Sequence, residues 1–363
     1  VTATTDRKDL IGLLPDEARA ALADHFQARG VAAYRVGQTL DRIYDKVALS
    51  VDEITELSKA EREALREAFE FTAPPARNVQ VSEDGTAKHL WRLADGELVE
   101  SVLIPTDDRL TLCISSQAGC AMGCTFCATG WSGYRRNLTA AEIVAQYRGA
   151  RRWAEANGYG PITNVVYMGM GEPLMNRGPV MDSLTLLNHA YDVGARRITV
   201  STVGIVPGID ALAERPEQFK LALSLHAPTH ALRERIVPVE KKYPIAALMD
   251  SLRRFEAGGG RRVTFEYIMI DGVNDDPALA DTLAGLASEV HAHVNLIPYN
   301  PIPGPDWRPS PEPRIRAFAD RLERRGVATT VRTPRGRDIA AACGQLRAEH
   351  ELTPPKPFVE LSA

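Results

Sequence analysis

Cys120-Ala-Met-Gly-Cys124-Thr-Phe-Cys127 gathers three of the chain's five cysteines within eight residues. The odd number of thiolates decides how this stretch is read. Structural zinc closes with four ligands, usually as paired C-x-x-C halves, and an ordinary iron–sulfur cluster also takes four cysteines. Three thiolates on one loop point to a four-iron cluster whose fourth iron stays open for a non-protein ligand. The alternative is a zinc knuckle that borrows His226 or Cys343, but the chain has no second C-x-x-C half.

Working outward, an apolar run at Thr111–Ser115 precedes the loop. Thr139-Ala-Ala-Glu142 follows it, a capping box opening a helix that carries Ile143, Val144 and Tyr147. The same alternation continues downstream. Candidate strands lie at Asn164–Gly169, Ile198–Ser201, Phe219–His226, Arg262–Ile270 and His293–Pro298, with a weaker one at Ala328–Val331. Strands separated by helical segments imply parallel βαβ units, and near-continuous apolar runs such as Leu221–Leu225 imply burial on both faces. The expected fold is therefore α/β, a partial (β/α)6 barrel. Polar residues fall where such barrels place their chemistry, after the strands: the cysteine loop, Met168-Gly-Met-Gly-Glu-Pro173, Ser201, His226 and Asn300.

Upstream of the barrel the pattern changes. Residues 10–71 read as helical, with Leu40, Ile43, Tyr44 and Val47 on one face and capping boxes at Ser50-Val-Asp-Glu53 and Ser58-Lys-Ala-Glu61. Thr72-Ala-Pro-Pro75 ends that block. His89–Leu93 and Glu97–Ile104 flank Asp95-Gly96, a hairpin signal. The division expected is a helical domain over 1–75, a β-hairpin linker over 76–106, the barrel over 107–349, and a proline-containing, loosely held tail over 350–363.

Composition excludes several classes. No run approaches the ~20 apolar residues that span a bilayer, and the first residues lack the apolar segment of a secretory signal. An odd, clustered cysteine count argues against a disulfide framework and for a reducing, cytoplasmic setting. Net charge is −4, and residues 1–75 hold 10 basic against 14 acidic side chains, so bulk charge does not by itself indicate nucleic acid. Arg135-Arg136, Arg148 with Arg151-Arg152, Lys241-Lys242, Arg261-Arg262 and Arg332/Arg335/Arg337 are local basic clusters, each most simply a solvated surface.

The cysteine spacing, followed one βα unit later by Gly171-Glu172, resembles the radical S-adenosylmethionine superfamily. Longer segments sharpen the likeness: Cys113-Ile-Ser-Ser-Gln-Ala-Gly-Cys-Ala-Met-Gly-Cys-Thr-Phe-Cys127, Ile162–Pro173, Ser224-Leu-His-Ala-Pro228, Asn295–Pro301 and Arg335–Leu346. In this order, over residues 95–346, they closely resemble the bacterial RNA methyltransferases that act on carbon 2 of adenine in 23S ribosomal RNA and transfer RNA. The resemblance implies a [4Fe-4S] cluster on Cys120, Cys124 and Cys127, and two molecules of S-adenosyl-L-methionine per turnover. It implies a cofactor site of Gly171, Glu172, Ser201, Ser224, Leu225, His226 and Asn300. It assigns Cys343 as methyl carrier, Cys113 as the second redox cysteine forming a transient disulfide with it, and Glu100 as proton acceptor; Asp107 and Asp108 stay open as alternatives for that last role.

The implied chemistry is coherent. Carbon 2 of adenine is electron-poor and lacks an acidic proton, so a polar methyl transfer is unfavourable while a carbon radical adds there. One cofactor methylates the Cys343 thiolate. The second, reduced through the cluster, gives a radical that takes hydrogen from the S-methyl group, and the resulting carbon adds to the base as a covalent enzyme–RNA intermediate. The resemblance further implies an RNA-binding role for the N-terminal domain, an electron donor such as flavodoxin, a monomer, and no membrane partner. The rivals are carbon-8 methylation by the same machinery, a superfamily enzyme acting on a small molecule or protein, and a zinc-stabilised RNA-binding protein without catalysis. The small-molecule reading leaves Cys113 and Cys343 unused.

Overall fold

The computed structural model describes residues 7–348, so the expected tail over 350–363 lies outside the described residues. The N-terminal block is helical. α1 (Pro15–Ala28) buries Ala18, Leu22 and Phe26 at four-residue spacing, and α2 (Tyr34–Tyr44) buries Val36, Leu40, Ile43 and Tyr44. Val47 falls beyond the end of α2 in a left-handed conformation, φ 51°, yet its side chain is still buried. Ser50 does not cap a helix as its sequence promised; one 3₁₀ turn, Val51–Glu53, follows it. Glu53 is drawn away, accepting from the Leu49 amide and from Arg152. Ser58 does cap α3 (Lys59–Ala68), accepting from the Glu61 amide at 3.2 Å.

One ten-stranded sheet organises the rest. β1 (Ala76–Val81), β2 (Ala87–Arg92), β3 (Leu98–Pro105) and β4 (Leu110–Cys113) pair antiparallel in sequence order. β2 and β3 are the expected hairpin. β1 was not foreseen, because its run Ala-Arg-Asn-Val-Gln-Val is nearly all exposed and carries no apolar alternation. The short strands β5 (Gln117–Gly119) and β6 (Tyr134–Asn137) form a separate ribbon around the cysteine loop, enclosing the single turn α4 (Ala128–Trp131). α5 (Ala140–Ala156) follows with its Thr139 capping box closed in both directions.

From β4 the sheet turns parallel through β7 (Asn164–Tyr167), β8 (Ile198–Thr202), β9 (Lys220–Ser224), β10 (Thr264–Met269), β11 (His293–Pro298) and β12 (Thr329–Val331). These are the six expected strands and the weak seventh. α6 (Arg177–Thr185), α7 (Val206–Ala213), α8 (His230–Ile236), α9 (Ile245–Ala257), α10 (Pro277–Glu289) and α11 (Glu312–Arg324) cross between them. Register aligns their upper ends: Cys113 stands beside Val166, Ser201 beside Ala222, and Glu266 beside both Ser224 and Asn295. The first barrel strand stops at Cys113 rather than Ser115, because the Gln146 side chain from α5 bonds both the amide and the carbonyl of Ser115 at 2.9 Å.

The cluster Arg148, Arg151 and Arg152 is not a solvated surface. Arg148 is fully buried, donates to the carbonyls of Ala48 and Thr72, and lies 5.0 Å from the centre of the Phe71 ring. Arg151 donates to Asp45 O and Arg152 to Val47 O. These arginines of α5 satisfy backbone carbonyls left open by the irregular chain after α2 and after α3, and so seat the helical block on the barrel. Among the described residues no helix is long and apolar enough to cross a membrane.

Candidate active site

The cysteine loop is fixed at its neck. Gly119 has φ +75°, and a Cβ there would lie 1.8 Å from the Gly133 carbonyl oxygen, so only glycine lets β5 and β6 close. Above that neck the Cys120 amide donates back to Gly133 O at 3.0 Å, and the Thr125 amide to Ile236 O at 3.2 Å. Cys120, Cys124 and Cys127 all line one cavity of about 140 Å³. Burial pushes the Cys120 and Cys124 thiols well up, and the neighbouring thiols of the same loop add to it. Thiols in this setting ionise on binding a cationic group, as a metal cluster supplies. Among the described residues no set of His, Cys, Asp and Glu converges as on a single ion. Three thiols of one loop that face a shared cavity without converging on a single ion fit a larger cluster better than a closed zinc site.

The same cavity takes in Gly171, Glu172, Ser201, Ser224 and His226. Gly171 has φ +95°, and a Cβ would meet Gln117 at 2.5 Å, which leaves bare backbone facing the space. Glu172 is buried; its carboxylate accepts from the amides of Leu174 at 3.0 Å and Val203 at 2.8 Å. Burial raises it to about 7 against those bonds and the Thr202 hydroxyl. A cationic amino group arriving in the cavity would favour the ionised form. His226 sits at φ +59° with its ring edge-on to Phe126 at 4.6 Å. Its Nδ1 accepts from the Ile268 amide at 3.1 Å, and burial, with Arg233 adding, drops it to about 3. His226 is therefore neutral, with its proton on Nε2. Ser201 and Ser224 face each other, Oγ to Oγ 3.4 Å.

A second cavity of about 570 Å³ adjoins the first. Cys113 and Asn300 line it, while Cys343 lines both. All five cysteines are free thiols. Burial raises Cys113 to about 12, the nearby Cys343 adds, and Arg332 opposes. Asn300 faces this second cavity rather than the first, donating to Cys343 O at 3.2 Å and accepting from Arg337 Nε at 2.9 Å. The charged side chains lining the cavity are Arg109, Arg332 and Arg335, with no carboxylate among them.

Four expected residues stand apart from both linings. Leu225 is buried, its carbonyl taken by Arg233 Nε at 3.0 Å. Glu100 is buried behind the second cavity, paired with Lys88 at 3.1 Å and accepting from the amides of Arg347 and Ala348. Asp108 is exposed and pairs with its neighbour Arg109, and Asp107 is likewise exposed. Sequence reading missed Glu266, Arg332 and the fully buried pair Arg233–Glu240, whose Nη1–Oε2 distance is 2.6 Å. A carboxylate inside an otherwise apolar strand, Thr264–Met269, is the signal that could have flagged Glu266.

Comparison with known proteins places this geometry. Residues 114–283 match the family model of the radical SAM superfamily. The chain is 52% identical over 343 residues to the probable dual-specificity RNA methyltransferase RlmN of Gemmatimonas aurantiaca, covering 94% of this chain and 93% of that protein. It is 45% identical to the dual-specificity RNA methyltransferase RlmN of Halorhodospira halophila, over 91% and 92% of the two chains. The crystal structure of a radical SAM methyltransferase from Sphaerobacter thermophilus superposes with a TM-score of 0.89 at 46% identity, covering 94% of this chain and all of that one. With the three-cysteine cavity, the buried Glu172 beside it and Cys343 at its junction with a second cavity, the chain belongs to the dual-specificity RNA methyltransferase family of the radical SAM superfamily.

Proposed function

We propose that this chain methylates carbon 2 of adenine in 23S ribosomal RNA and in transfer RNA through an S-methylated Cys343 and a covalent enzyme–RNA intermediate. The observation that carries the reading is the place of Cys343, which lines both the three-cysteine cavity and the arginine-lined cavity beside Cys113. A carrier must receive at one site and deliver at another. When bound, a [4Fe-4S] cluster on Cys120, Cys124 and Cys127 with two S-adenosylmethionine molecules in turn supplies a methyl group and one-electron chemistry. Glu172, its carboxylate oriented by the Leu174 and Val203 amides, would hold a cationic amino group of the cofactor. Ser201, Ser224 and the neutral Nε2–H of His226 orient polar groups of the cofactor, and Phe126 offers an aromatic edge.

In the second cavity the Cys343 sulfur presents its methyl carbon to the base. Once that carbon has given up one hydrogen atom to the one-electron chemistry the cluster would supply and has bonded to the adenine ring, the adduct would return one electron to that centre while Glu100 accepts the ring hydrogen as a proton; here its carboxylate must exchange the Arg347 and Ala348 amides for the base. The Cys113 sulfur then bonds to the Cys343 sulfur, the carbon–sulfur bond breaks with its electron pair going to the departing carbon, that carbon takes up the proton Cys113 gave up to become methyl, and the methylated base leaves as the disulfide forms. Carbon 2 lies on the minor-groove side of a stacked helix, so the adenine enters unstacked or flipped. Arg109, Arg332 and Arg335 give an otherwise acidic chain a local cationic wall suited to RNA phosphate.

Residues 1–75 serve as the accessory RNA-binding domain, 76–106 as a hairpin that also borders the second cavity, and 107–349 as the barrel. Tyr34 is 61% exposed at the start of α2, with the Arg35 guanidinium 5.0 Å from its ring centre, a surface on which an unpaired base can stack. The electron donor is external, of the flavodoxin type, and the protein works as a monomer in a reducing, cytoplasmic compartment. Anaerobic turnover of the cluster-loaded protein with protein-free 23S RNA and bulk transfer RNA tests the reading. Nucleoside mass spectrometry with proton NMR should locate the methyl at carbon 2; carbon-8 methylation, or no RNA methylation, would overturn it.

A further inference from the structure

Residues 336–348, the segment carrying Cys343, contain neither helix nor strand. Individual polar bonds from three neighbours hold it. On the cysteine-loop side Ala128 N donates to Gly344 O and Thr129 Oγ1 to Leu346 O. From the chain after β11, Asn300 donates to Cys343 O and Pro301 O accepts from Gln345. The third side is the antiparallel β1–β2–β3 ribbon, including the turn between β1 and β2. There Asp84 accepts from the Gly336 amide at 3.0 Å, Ser82 Oγ donates to Asp338 at 2.6 Å, and Glu100 accepts from Arg347 at 2.8 Å and Ala348 at 2.9 Å.

Lys88 ties this third side together. It stands on β2 opposite Val102, which makes Glu100, two residues back along β3, its diagonal neighbour on the same face. Its ammonium lies 3.1 Å from Glu100 Oε1 and 3.4 Å from Ala340 O. The Lys88 side chain is 11% exposed and that of Glu100 6%. One cation thus reaches the chain three residues before Cys343 and, through Glu100, four and five residues after it.

We propose that Lys88 is a positioning residue for methyl transfer, fixing the Cys343 segment so that its sulfur faces both cavities. The proposal rests on the reading of Cys343 as methyl carrier. Ordering an irregular segment costs conformational entropy at every residue, so a segment without secondary structure needs such cross-ties to hold a single placement. Removing Lys88 leaves Glu100 buried without its cation and frees both flanks of Cys343 together. Radical generation at the cysteine loop does not use these bonds. Loss of Lys88 should therefore uncouple the reaction rather than abolish its first half, whereas a merely structural pair would alter stability and leave coupling intact.

The test compares Lys88→Met, Lys88→Gln and Lys88→Arg in the full chain, with Cys343→Ala in parallel. In Lys88→Met, 5′-deoxyadenosine formed per methylated adenosine should rise by about tenfold to a hundredfold, the scale of a misplaced reacting group. kcat should fall to match while KM for RNA holds, and Lys88→Arg should recover most of the coupling. In cluster-free protein, amide exchange should quicken over 340–348 and stay unchanged in the central strands. A folded, cluster-loaded Lys88→Met with wild-type coupling overturns the proposal. If that variant fails to fold, amide exchange in Lys88→Gln decides: quickening confined to 340–348 supports the proposal, and unchanged or uniformly faster exchange overturns it. Methyl transfer retained in Cys343→Ala would instead remove the carrier reading itself.

Discussion

The two adjoining cavities are built by opposite means. The first rests on the ends of parallel strands and on glycine-necked turns, and its functional groups are set by backbone bonds: Glu172 between two amides, and His226 on the Ile268 amide. The second is walled by β3, β4 and the turn between them, and closed by an irregular segment held largely through side chains. A cavity held by backbone suits a cofactor of constant shape. One closed by side-chain ties can admit a large substrate and then shut behind it, because each tie is a small, separately breakable contribution. Both cavities share Cys343, the residue at which the proposed reaction would join them.

Breaking the first cavity alone should have the largest effect. Replacing Cys120, Cys124 or Cys127 with Ala should reduce iron and sulfide content to background and remove the thiolate–iron absorbance near ~400 nm, with 5′-deoxyadenosine production lost alongside. A variant with a full cluster would contradict the ligand assignment. Breaking the second cavity should spare the cluster. Cys343→Ala should load iron normally and transfer no methyl to RNA, and Cys113→Ala should accumulate RNA bonded through Cys343, visible as a ribonuclease-sensitive shift on a denaturing gel. Wild-type turnover in Cys113→Ala would separate that cavity from the mechanism.

Glu172→Gln sharpens the contrast within the first cavity. It keeps the shape and removes the charge, so S-adenosylmethionine binding, measured by calorimetry on cluster-loaded protein, should weaken by about 10- to 100-fold, the scale of a charged hydrogen bond. Arg148→Met tests the seam between the helical block and the barrel. Two buried carbonyls lose their donor, a cost of about 2–4 kcal/mol in total, to be read as a fall in thermal stability with the cluster sites intact.

The smallest effect is a pH dependence confined to the second cavity. Burial works against the Asp84 charge, but hydrogen bonds from Thr86, Gly336 and Ser82 prevail and bring it down to about 2 from the usual 3.8. The unfolded segment thus binds the proton more readily than the folded one. The contribution of the Gly336–Asp84 tie is present above about pH 4 and is lost as pH falls through about 2. Exchange protection at the Gly336 amide should fall over that window, and Asp84→Asn should flatten the dependence. Protection at Val203, which donates to Glu172, is a control from the other cavity.

Much of this was legible in the residues themselves. The three-cysteine spacing, the alternation of apolar runs with helices, and Gly171-Glu172 after the second barrel strand are local patterns. Their meaning depends on periodicity and ligand number, and the barrel strands duly appear with register that brings their ends level. β1 escaped because an exposed edge strand carries no apolar alternation. The Ser50 box misled because Glu53 had a competing partner, Arg152, ninety-nine residues away.

What sequence determined by itself is the chemistry-bearing inventory and its order along a βα chain. Those properties come from near neighbours, and composition and spacing record them directly. Tertiary structure alone decided that Cys343 stands between two cavities, that Asn300, Arg109 and Arg335 face the second while Arg332 lines both, and that Glu100 is bound by Lys88 and the segment it would serve. It also decided that Arg148, Arg151 and Arg152 form an internal seam instead of a charged surface. Each of these is a contact between residues far apart in the chain, set by which carbonyls and charges packing leaves unsatisfied, and no local pattern encodes that.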